Sequence, residues 1–556
     1  MPFKNKILNL LKKQTGLKTI NLETPPESFG DYSFPCFQLS KKLKKSPNEI
    51  ALDLSKKIKA DFLEKTETKG PYLNFFIKKE KLTELILKKI QKEKENYGSK
   101  KNNKKTYIVE YFHANTHKGV HIGHIRNISI GETLCRVLEK TGHKVIRVNY
   151  QGDIGPHVAK CLWGYINLKQ KEPKTKKGIW LGKIYALANK RSIKNKKIEE
   201  EIRQINNKIY QRDKTILKIW KKTRQDCLKD FEDFYKDFGV KFSRLYFESE
   251  VEDLGKQIVM DLLKKGTVKK SEGAIIMDLE KYKLGIYVLL TKDNNALYHS
   301  KDLGLAELKQ KEFKFDKSIH VTGAEQKLYF QQIFKTFEIT HSKIAGKSLH
   351  LPYGLVMLPE GKMSSRTGTM ILFEDLKDKM FKATEKEIKN RNKKLSKEEI
   401  AVRTKKIAYS AIKFSMLNKD NNKDLIFDWN TALSFEGETG PYIQYSYARI
   451  QSILKKAKIF PQINYKLLNN LLEFKLIKQL SLFPSIIQKA SQDLKPNLIA
   501  NYIFSLSKTF NEYYHAYNIL REKQEIKNAR LALISSIATI IKISLNLLGI
   551  EVLDQM

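Results

Sequence analysis

The chain has 556 residues, is 41% hydrophobic, and carries a formal net charge of +43 with a pI near 9.7. This length predicts roughly three domains, each able to bury its own core, and we see no apolar run long enough to span a bilayer, which argues against an integral membrane protein. The lysine excess favours a polyanionic partner, although lysine is spread along the whole chain and could equally be a compositional habit of the source genome.

The cysteines and the amino terminus indicate the compartment. Four cysteines are scattered with no C-x-x-C pair, which is typical of a reducing compartment, so we expect a cytoplasmic protein. The basic, amphipathic start MPFKNKILNLLKKQTG resembles a mitochondrial presequence. It lacks arginine and continues directly into sequence that looks folded, so we interpret it as an ordinary first helix.

The first 100 residues predict a small unit that mixes helices and short strands. An aromatic stretch, FGDYSFPCFQL, precedes an amphipathic helix whose start is marked by Ser46 and Pro47, with Glu49 in its first turn. GPYLNFFI, residues 70–77, predicts a turn and a strand. The lysine-rich residues 91–105 predict a polar linker.

Residues 106–127, TYIVEYFHANTHKGVHIGHIRN, predict a nucleotide site. The β-branched and aromatic start indicates a buried strand, in which the charge of Glu110 must be paired. After a polar loop, His121 and His124 lie one turn apart where helical periodicity begins, with Gly123 between them. A strand, a loop and a helix N-terminus form the layout that binds phosphates, and the glycine leaves room for a flat base. Alone, the two histidines could also be a capped turn or half of a zinc site, but no third ligand has a metal-like spacing, so we predict no metal site.

Strands and helices then alternate. Residues 144–150 predict a second strand, which ends in a glycine-bracketed loop, QGDIG, at the position where open parallel sheets bind ligands. Residues 169–237 are charged and helical in period, which indicates a helical insertion. Further strands are predicted as a hairpin within 273–290 that turns near 280–284, as a strand at 314–322, and as an apolar run at 351–358.

A second informative loop, EGKMSSRTGT, occupies residues 360–369. Lys362 and Arg366 can neutralise phosphate charge, while Ser364 and Ser365 can donate hydrogen bonds. The Gly-Lys pair also hints at a Walker loop, but the required spacing to an upstream glycine is absent.

After residue 377 the pattern is essentially all helical. Phe510, Tyr513, Tyr514 and Tyr517 share one helix face. Such a stripe is either core or a platform on which bases stack.

Several of these segments together resemble a known family. HIGH at 121–124 and KMSSR at 362–366, in that order, resemble the two signatures of class I aminoacyl-tRNA synthetases. VEYFHANTHKGVHIGH, VNYQGDIG, LYHSKDLG, EGETGPYIQYSYARI and the carboxyl-terminal 28 residues are similar to segments of the arginyl-tRNA synthetase family, as GPYLNFFI and GDYSFPCFQL are to its added N-terminal domain. The resemblance covers nearly the whole chain.

The resemblance implies an α/β fold in three parts. Residues 1–100 would form the added tRNA-binding domain, a small α/β unit. Residues 101–378 would form a Rossmann-type parallel-sheet catalytic domain with the helical insertion near 169–237. Residues 379–556 would form an all-α helical bundle that binds the anticodon.

It also implies a reaction in which arginine and ATP give arginyl-adenylate and pyrophosphate, after which arginine is transferred to the 3′ end of tRNA(Arg). The catalytic residues would be His121, His124, Lys118 and Lys362. ATP would further contact Gly123, Met363, Ser364, Ser365 and Arg366, with Mg²⁺ assisting. Ser365 stands where most class I enzymes carry a second lysine, and Lys118 would supply the missing cation.

A guanidinium substrate requires a planar acidic acceptor. The resemblance assigns this role to Asp302 and Tyr298, while Glu110, Asn115 and Gln326 would hold the α-amino and carboxylate end. For Asp302 the alternative is a helix cap beside Lys301. The tRNA anticodon would contact Tyr513, Tyr514, Tyr517 and Met556.

We therefore expect a monomeric arginine–tRNA ligase with L-arginine, ATP and tRNA(Arg) as partners and no membrane contact. One alternative is another HIGH-bearing enzyme, such as a nucleotidylyltransferase or a synthetase for a different amino acid. The other is a catalytically inactive, synthetase-like RNA-binding protein, in which His121, His124 or Lys362 would be eroded. All three are present.

Overall fold

The computed structural model describes residues 3–193, 195–357, 372–434, 436–457 and 463–556. Within these ranges a small α/β unit is followed by a parallel sheet with flanking helices and then by a helical bundle. The α/β fold class expected from the sequence is thereby confirmed.

The amino-terminal unit is a three-stranded antiparallel sheet, in the order β1-β3-β2, packed with helices. Its elements are α1 (Lys4–Thr15), β1 (Tyr32–Pro35), α2 (Phe37–Leu43), α3 (Pro47–Lys57), β2 (Leu63–Lys69), β3 (Tyr72–Ile77) and α4 (Lys79–Glu93). Ser46 caps α3 as predicted, because its side chain accepts the N–H of Glu49 and the Glu49 carboxylate accepts the N–H of Ser46.

The predicted linker at 91–105 is wrong in its first part. Helix α4 continues to Glu93, and a 3₁₀ turn follows it. Tyr97 is buried, stacks on Phe483 of the bundle and donates its hydroxyl to the Leu480 carbonyl. Lysine content alone could not predict this anchor.

The central sheet is entirely parallel, in the order β11-β10-β4-β5-β6. Its strands are β4 (Thr106–Glu110), β5 (Lys144–Gln151), β6 (Arg244–Phe247), β10 (Lys317–Gly323) and β11 (Ser348–Tyr353). The chain runs outward from β4 through β5 to β6 and then returns to the other side of β4. The order therefore reverses between β4 and β10, and ligands bind at the carboxyl ends of strands at such a switch point.

Helices cover this sheet and form the predicted insertion. They are α5 (Ile122–Lys140), α6 (Pro156–Asn167), α7 (Lys177–Ile193), α8 (Lys196–Tyr210), α9 (Lys214–Phe238), α10 (Glu248–Lys264), α11 (Tyr298–Glu312) and α12 (Lys327–Ile339). A small antiparallel sheet contains β7 (Lys269–Ser271), β8 (Ala274–Asp278) and β9 (Ile286–Leu290), so the predicted hairpin is confirmed. A short strand, β12 (Val356–Met357), follows β11.

The carboxyl-terminal part is helical, as predicted. Its elements are α13 (Phe373–Arg391), α14 (Lys397–Leu417), β13 (Leu425–Ile426), α15 (Trp429–Leu433), α16 (Gly440–Lys455), α17 (Leu471–Asp493), α18 (Asn497–Ala516) and α19 (Gln524–Leu547). Contrary to the expectation of no apolar run of such length, α19 is long and apolar enough to cross a membrane, but 78% of its apolar window is buried within the protein.

Helix α5 connects the sheet to the bundle. Arg136 on its last turns donates to the Asn546 carbonyl at the end of α19 and to the Gly239 carbonyl after α9. Lys413 on α14 is buried and donates to the carbonyls of Phe238 and Gly549. The ends of α9 and α19 are therefore joined to the same two basic side chains.

Candidate active site

The loop between β4 and α5 has an unusual backbone. Phe112, His113 and His117 adopt left-handed φ angles of 82°, 55° and 62°, which are costly for residues with a side chain. The Asn127 side chain accepts the N–H of Phe112, and that of Asn149 accepts the N–H of His113. Buried side chains thus hold this strained loop in place.

The helical insertion holds the same loop from the other side. His117 is fully buried, and its ring bonds to Thr116 and, at 2.8 Å, to Thr223 on α9. Its N–H donates to the Cys227 sulfur, also on α9. Burial lowers the pKa of His117 to about 3, so the ring is neutral and acts as a structural tie.

His121 and His124 form the first turn of α5 as a mutual cap. His121 accepts the N–H of Gly123 at Nδ1, and His124 accepts the N–H of His121 at Nδ1. The ring centroids are 3.7 Å apart. Burial lowers the pKa of His121 to about 4 and that of His124 well below its usual value. Both rings are therefore neutral with the proton on Nε2, which leaves each with one N–H to donate.

Gly123 is required by this arrangement. A Cβ at position 123 would lie 3.0 Å from the His121 ring, closer than ordinary contact. The glycine therefore lets the His121 ring sit against the helix backbone.

Lys118 lies three residues before His121 and is half-buried beside α7. Its Nζ lies 5.3 Å from the centroid of the Tyr185 ring. Burial, followed by repulsion from Lys160, lowers the pKa of Lys118. Among the described residues it has no ion-pair partner, so its ammonium group is available to pair with an anionic ligand such as a phosphate.

The arginine-binding candidates come from different elements of the sheet and its helices. Glu110 ends β4, Asn115 lies in the following loop and accepts the N–H of Gly152, and Asp302 lies on the second turn of α11. Tyr298 begins α11 and is 66% exposed, and Gln326 is exposed just after β10. The N-cap of α11 is Leu297, so the alternative in which Asp302 is a helix cap is excluded.

Two residues that the sequence did not single out join these candidates. Glu248 follows β6, and its carboxylate lies beside Asn115 over Gly152. A Cβ at position 152 would lie 2.6 Å from the Asn115 amide oxygen and 3.1 Å from a Glu248 oxygen. Tyr329 on α12 donates its hydroxyl to Oδ2 of Asp302. The sequence carried no signal for Glu248, because the strand that precedes it, β6, was not predicted.

Close packing of α10 on α11 brings these groups together. A Cβ at Gly255 would lie 2.2 Å from the Ser300 carbonyl oxygen, and one at Gly304 would lie 2.6 Å from that of Val251. Only glycine allows the two backbones to approach so closely. As a result Lys301 on α11 reaches Glu248 on α10 at 2.6 Å.

Neighbouring carboxylates in this region are paired with cations. Glu110 bonds to Lys309 and to His320, Glu248 pairs with Lys301, and Asp153 pairs with Arg224. The buried charge of Glu110 requires a partner, as the sequence indicated, and Lys309 and His320 provide it.

Asp302 differs from these carboxylates. It has no cation partner among the described residues and accepts only the Tyr329 hydroxyl. Burial raises the pKa of Asp302 to about 7. A guanidinium that entered the site would meet a carboxylate that is not already part of an ion pair with a described residue.

The second signature, with Lys362, Met363, Ser364, Ser365 and Arg366, lies outside the described residues. The chain before it is attached to α5, and the chain after it is attached to the loop that precedes α5. Arg126 is fully buried and donates to five carbonyls, those of Gly354, Leu355, Asp420, Asn421 and Lys423. On the other side, the Phe373 N–H donates to the Val120 carbonyl, 2.8 Å away.

The tRNA candidates are divided by the structure. Tyr513 is fully buried and donates its hydroxyl to Glu473, so its placement argues against the predicted contact with bases. Tyr514, Tyr517 and Met556 line a groove of about 780 Å³. The Arg449 guanidinium lies over the Tyr514 ring, 4.5 Å from its centroid. The groove therefore combines aromatic side chains with a positive charge, and bases can stack on either.

No group of three or more His, Cys, Asp or Glu side chains that could hold a metal occurs in the described part of the chain. A Mg²⁺ ion keeps several waters and binds readily to nucleotide phosphates. The residues present therefore fit an ion that is carried in by ATP.

Family models match three parts of the chain. Residues 3–77 match the arginyl tRNA synthetase N terminal domain, residues 86–429 match the class I (R) tRNA synthetase catalytic domain, and residues 443–556 match the DALR anticodon binding domain.

Curated relatives match over the full length. The chain is 38% identical to the arginine--tRNA ligase of Clostridium botulinum (strain Alaska E43 / Type E3) over 565 residues, which cover 100% of both chains. It is 36% identical to that of Clostridium acetobutylicum over 96% of both chains.

Solved structures share the fold. Thermus thermophilus arginyl-tRNA synthetase superposes with a TM-score of 0.81 at 23% identity, covering 100% of this chain and 99% of that one. Arginyl-tRNA synthetase from Plasmodium falciparum superposes with a TM-score of 0.77 at 22% identity, covering 100% of this chain and 98% of that one.

Proposed function

The chain belongs to the arginyl-tRNA synthetase family of class I aminoacyl-tRNA synthetases, and we infer that it is an arginine–tRNA ligase. It activates L-arginine with ATP to arginyl-adenylate and transfers arginine to the 3′ end of tRNA(Arg). The observation that best supports arginine is Asp302, which lacks the cation partner that neighbouring carboxylates have.

The first step forms a bond between the carboxylate oxygen of arginine and the α-phosphorus of ATP, while the bond to pyrophosphate breaks. In the second step, a terminal hydroxyl of tRNA attacks the activated carbonyl and AMP leaves. The nucleophiles belong to the substrates, so the protein contributes positioning and charge stabilisation.

We assign charge stabilisation to the signature residues. The Nε2–H groups of His121 and His124 donate to phosphate oxygens as negative charge develops on them. Because both rings are neutral, they do so without releasing a proton. Lys118 and Lys362 neutralise the departing pyrophosphate, and Gly123, Met363, Ser364, Ser365 and Arg366 complete the ATP contacts. Mg²⁺ carried in with ATP would supply further positive charge there.

We assign amino-acid recognition to the residues around Asp302. Asp302 and Tyr298 would receive the guanidinium. Glu110, Asn115 and Gln326 would hold the α-amino and carboxylate end. Glu110 would act while bonded to Lys309 and His320, which fix its orientation. Tyr514, Tyr517 and Met556 are the remaining candidates for stacking on anticodon bases, and Tyr513 would support them from the core.

The proposed division into domains is 1–100, 101–378 and 379–556. The end of the parallel sheet at Tyr353 supports a boundary after that residue, although α13 (Phe373–Arg391) runs across position 378. We further propose a cytoplasmic monomer without membrane contact. Burial of α19 inside the bundle supports the lack of membrane contact, and sedimentation of the purified chain would test the monomeric state.

The alternatives are not favoured. A synthetase for an uncharged or acidic amino acid would have no use for an acidic acceptor of this kind. The full-length identity to curated arginine--tRNA ligases disfavours the remaining alternatives.

The test is aminoacylation of tRNA by the purified chain with labelled arginine and ATP, with Asp302→Asn as the control variant. We expect wild type to attach label to tRNA as an alkali-labile ester, and the variant to require far more arginine. Attachment of another amino acid, or none, would refute the assignment.

A further inference from the structure

Among the described residues, the one hydrogen bond to the Asp302 carboxylate comes from an aromatic stack that the proposed reaction does not use. Tyr329 on α12 donates its hydroxyl to Oδ2 of Asp302 at 2.5 Å. The His299 ring lies between Tyr329, at 4.3 Å between centroids, and Tyr287, at 3.9 Å. The far end of the stack is fixed because the Tyr287 hydroxyl bonds to Thr336.

The Tyr329 phenol keeps its proton at neutral pH. Burial, followed by the charge of Asp302, raises the pKa of this phenol well above its usual value. Whenever Asp302 is ionised, the hydroxyl is therefore the donor and the carboxylate is the acceptor.

We propose, on the basis of the function proposed above, that Tyr329 is a positioning and specificity residue. By holding Oδ2, it orients Oδ1 towards the arginine guanidinium and favours the charged form of Asp302 that arginine requires.

The surroundings of Asp302 make this single donor important. The ionisable groups that face it are Glu110 from β4, Tyr150 from β5, Glu248 from α10 and Tyr329 from α12. Glu110 is paired with Lys309 and His320, and Glu248 is paired with Lys301. The two nearby carboxylates raise the pKa of Asp302, as burial does, while Lys309 lowers it and is already bonded to Glu110. Tyr329 is thus the only direct donor among the described residues that favours ionisation.

The test compares two isosteric variants, Tyr329→Phe and Tyr287→Phe. Both remove a hydroxyl from the same stack, but only the first removes the bond to Asp302. The KM for arginine is measured by ATP–pyrophosphate exchange from pH 6 to 9, together with kcat and the melting temperature.

For Tyr329→Phe we expect the KM for arginine at pH 7 to rise about tenfold or more, with a small change in kcat. The pH below which KM rises should move upward by about one unit. Tyr287→Phe should keep the wild-type pH profile.

The proposal is overturned if Tyr329→Phe keeps the wild-type profile, or if both variants change equally, since the stack would then be merely structural. A melting temperature equal to that of wild type confirms that Tyr329→Phe is folded. Failure of the proposed function looks different, because the wild-type chain itself would show no arginine-dependent exchange.

Discussion

In the proposed function, the protonation state of Asp302 decides arginine binding, because only the carboxylate attracts a guanidinium. Burial raises its pKa to about 7, so the charged form is present above pH 7 and is lost as the pH falls below it. The histidines of the signature do not titrate in this range, because burial lowers their pKa values.

We therefore predict that the KM for arginine increases about tenfold for each pH unit below 7 and is constant well above it. Pyrophosphate exchange at saturating ATP measures this. The control is Asp302→Asn, which should bind arginine poorly at every pH and show no such slope. A wild-type KM that is constant from pH 6 to 8 would contradict the prediction.

His121 has two separable roles in the proposed function, since Nδ1 caps the helix and the Nε2–H would donate to the phosphates of ATP. In the variant His121→Asn, the shorter amide side chain can still accept the Gly123 N–H, but it cannot reach the position of Nε2. The longer side chain in His121→Gln can place its amide N–H closer to that position. We predict that His121→Asn lowers kcat about a hundredfold or more, with a modest change in the KM for ATP and near-normal stability.

Single-turnover adenylation and thermal melting measure these effects, with His121→Gln expected to retain more activity than His121→Asn. If His121→Asn turned over normally but bound ATP weakly, the ring would be a ground-state contact only.

At the scale of elements, the loop between β4 and α5 is where strand, insertion and helix meet. The insertion holds the loop through His117 and places Tyr185 of α7 beside Lys118. These contacts present Lys118 without an ion-pair partner among the described residues.

Because position 365 is serine, we predict that Lys118→Ala slows adenylate formation about a hundredfold or more, and that adding Ser365→Lys recovers part of the loss. The matched control is Lys160→Ala, a nearby lysine that already bonds to Asn189. A single-turnover rate for Lys118→Ala within about twofold of wild type would make Lys118 an ordinary surface lysine.

Much at this scale was predictable from sequence. Alternation and helical period located β4, β5, β10 and the insertion, and cap residues located α3. The HIGH spacing located His121 and His124 because both belong to one turn of a helix.

Other features depend on which elements become neighbours. Glu248 and Tyr329 lie far from the signatures in sequence and join the site only through the order of strands and the close approach of α10 to α11. The stripe on α18 predicted an aromatic face, but a period of 3.6 residues cannot tell which tyrosine a neighbouring helix covers, and Tyr513 is the one that is buried.

At the scale of the whole molecule, the bundle and the sheet are joined by buried polar contacts. Lys413 satisfies carbonyls at the ends of two helices that belong to different parts of the chain, α9 and α19. Arg136 makes a second connection between the same ends.

We predict that Lys413→Met lowers the free energy of unfolding by about 2 kcal/mol or more, since it leaves two carbonyls without their donor. Lys406→Met is the control on the same helix, because Lys406 pairs only with the exposed Glu551 and should matter by less than about 0.5 kcal/mol. Chemical denaturation measures both, and equal stability of the two variants would show that the connection is unimportant.

The central claim, that the molecule activates arginine, is tested most directly by ATP–pyrophosphate exchange with each of the twenty amino acids, with and without tRNA. We predict exchange with arginine and none above background with the other nineteen. Exchange with a different amino acid, or no exchange with arginine in the presence of tRNA, would contradict the account.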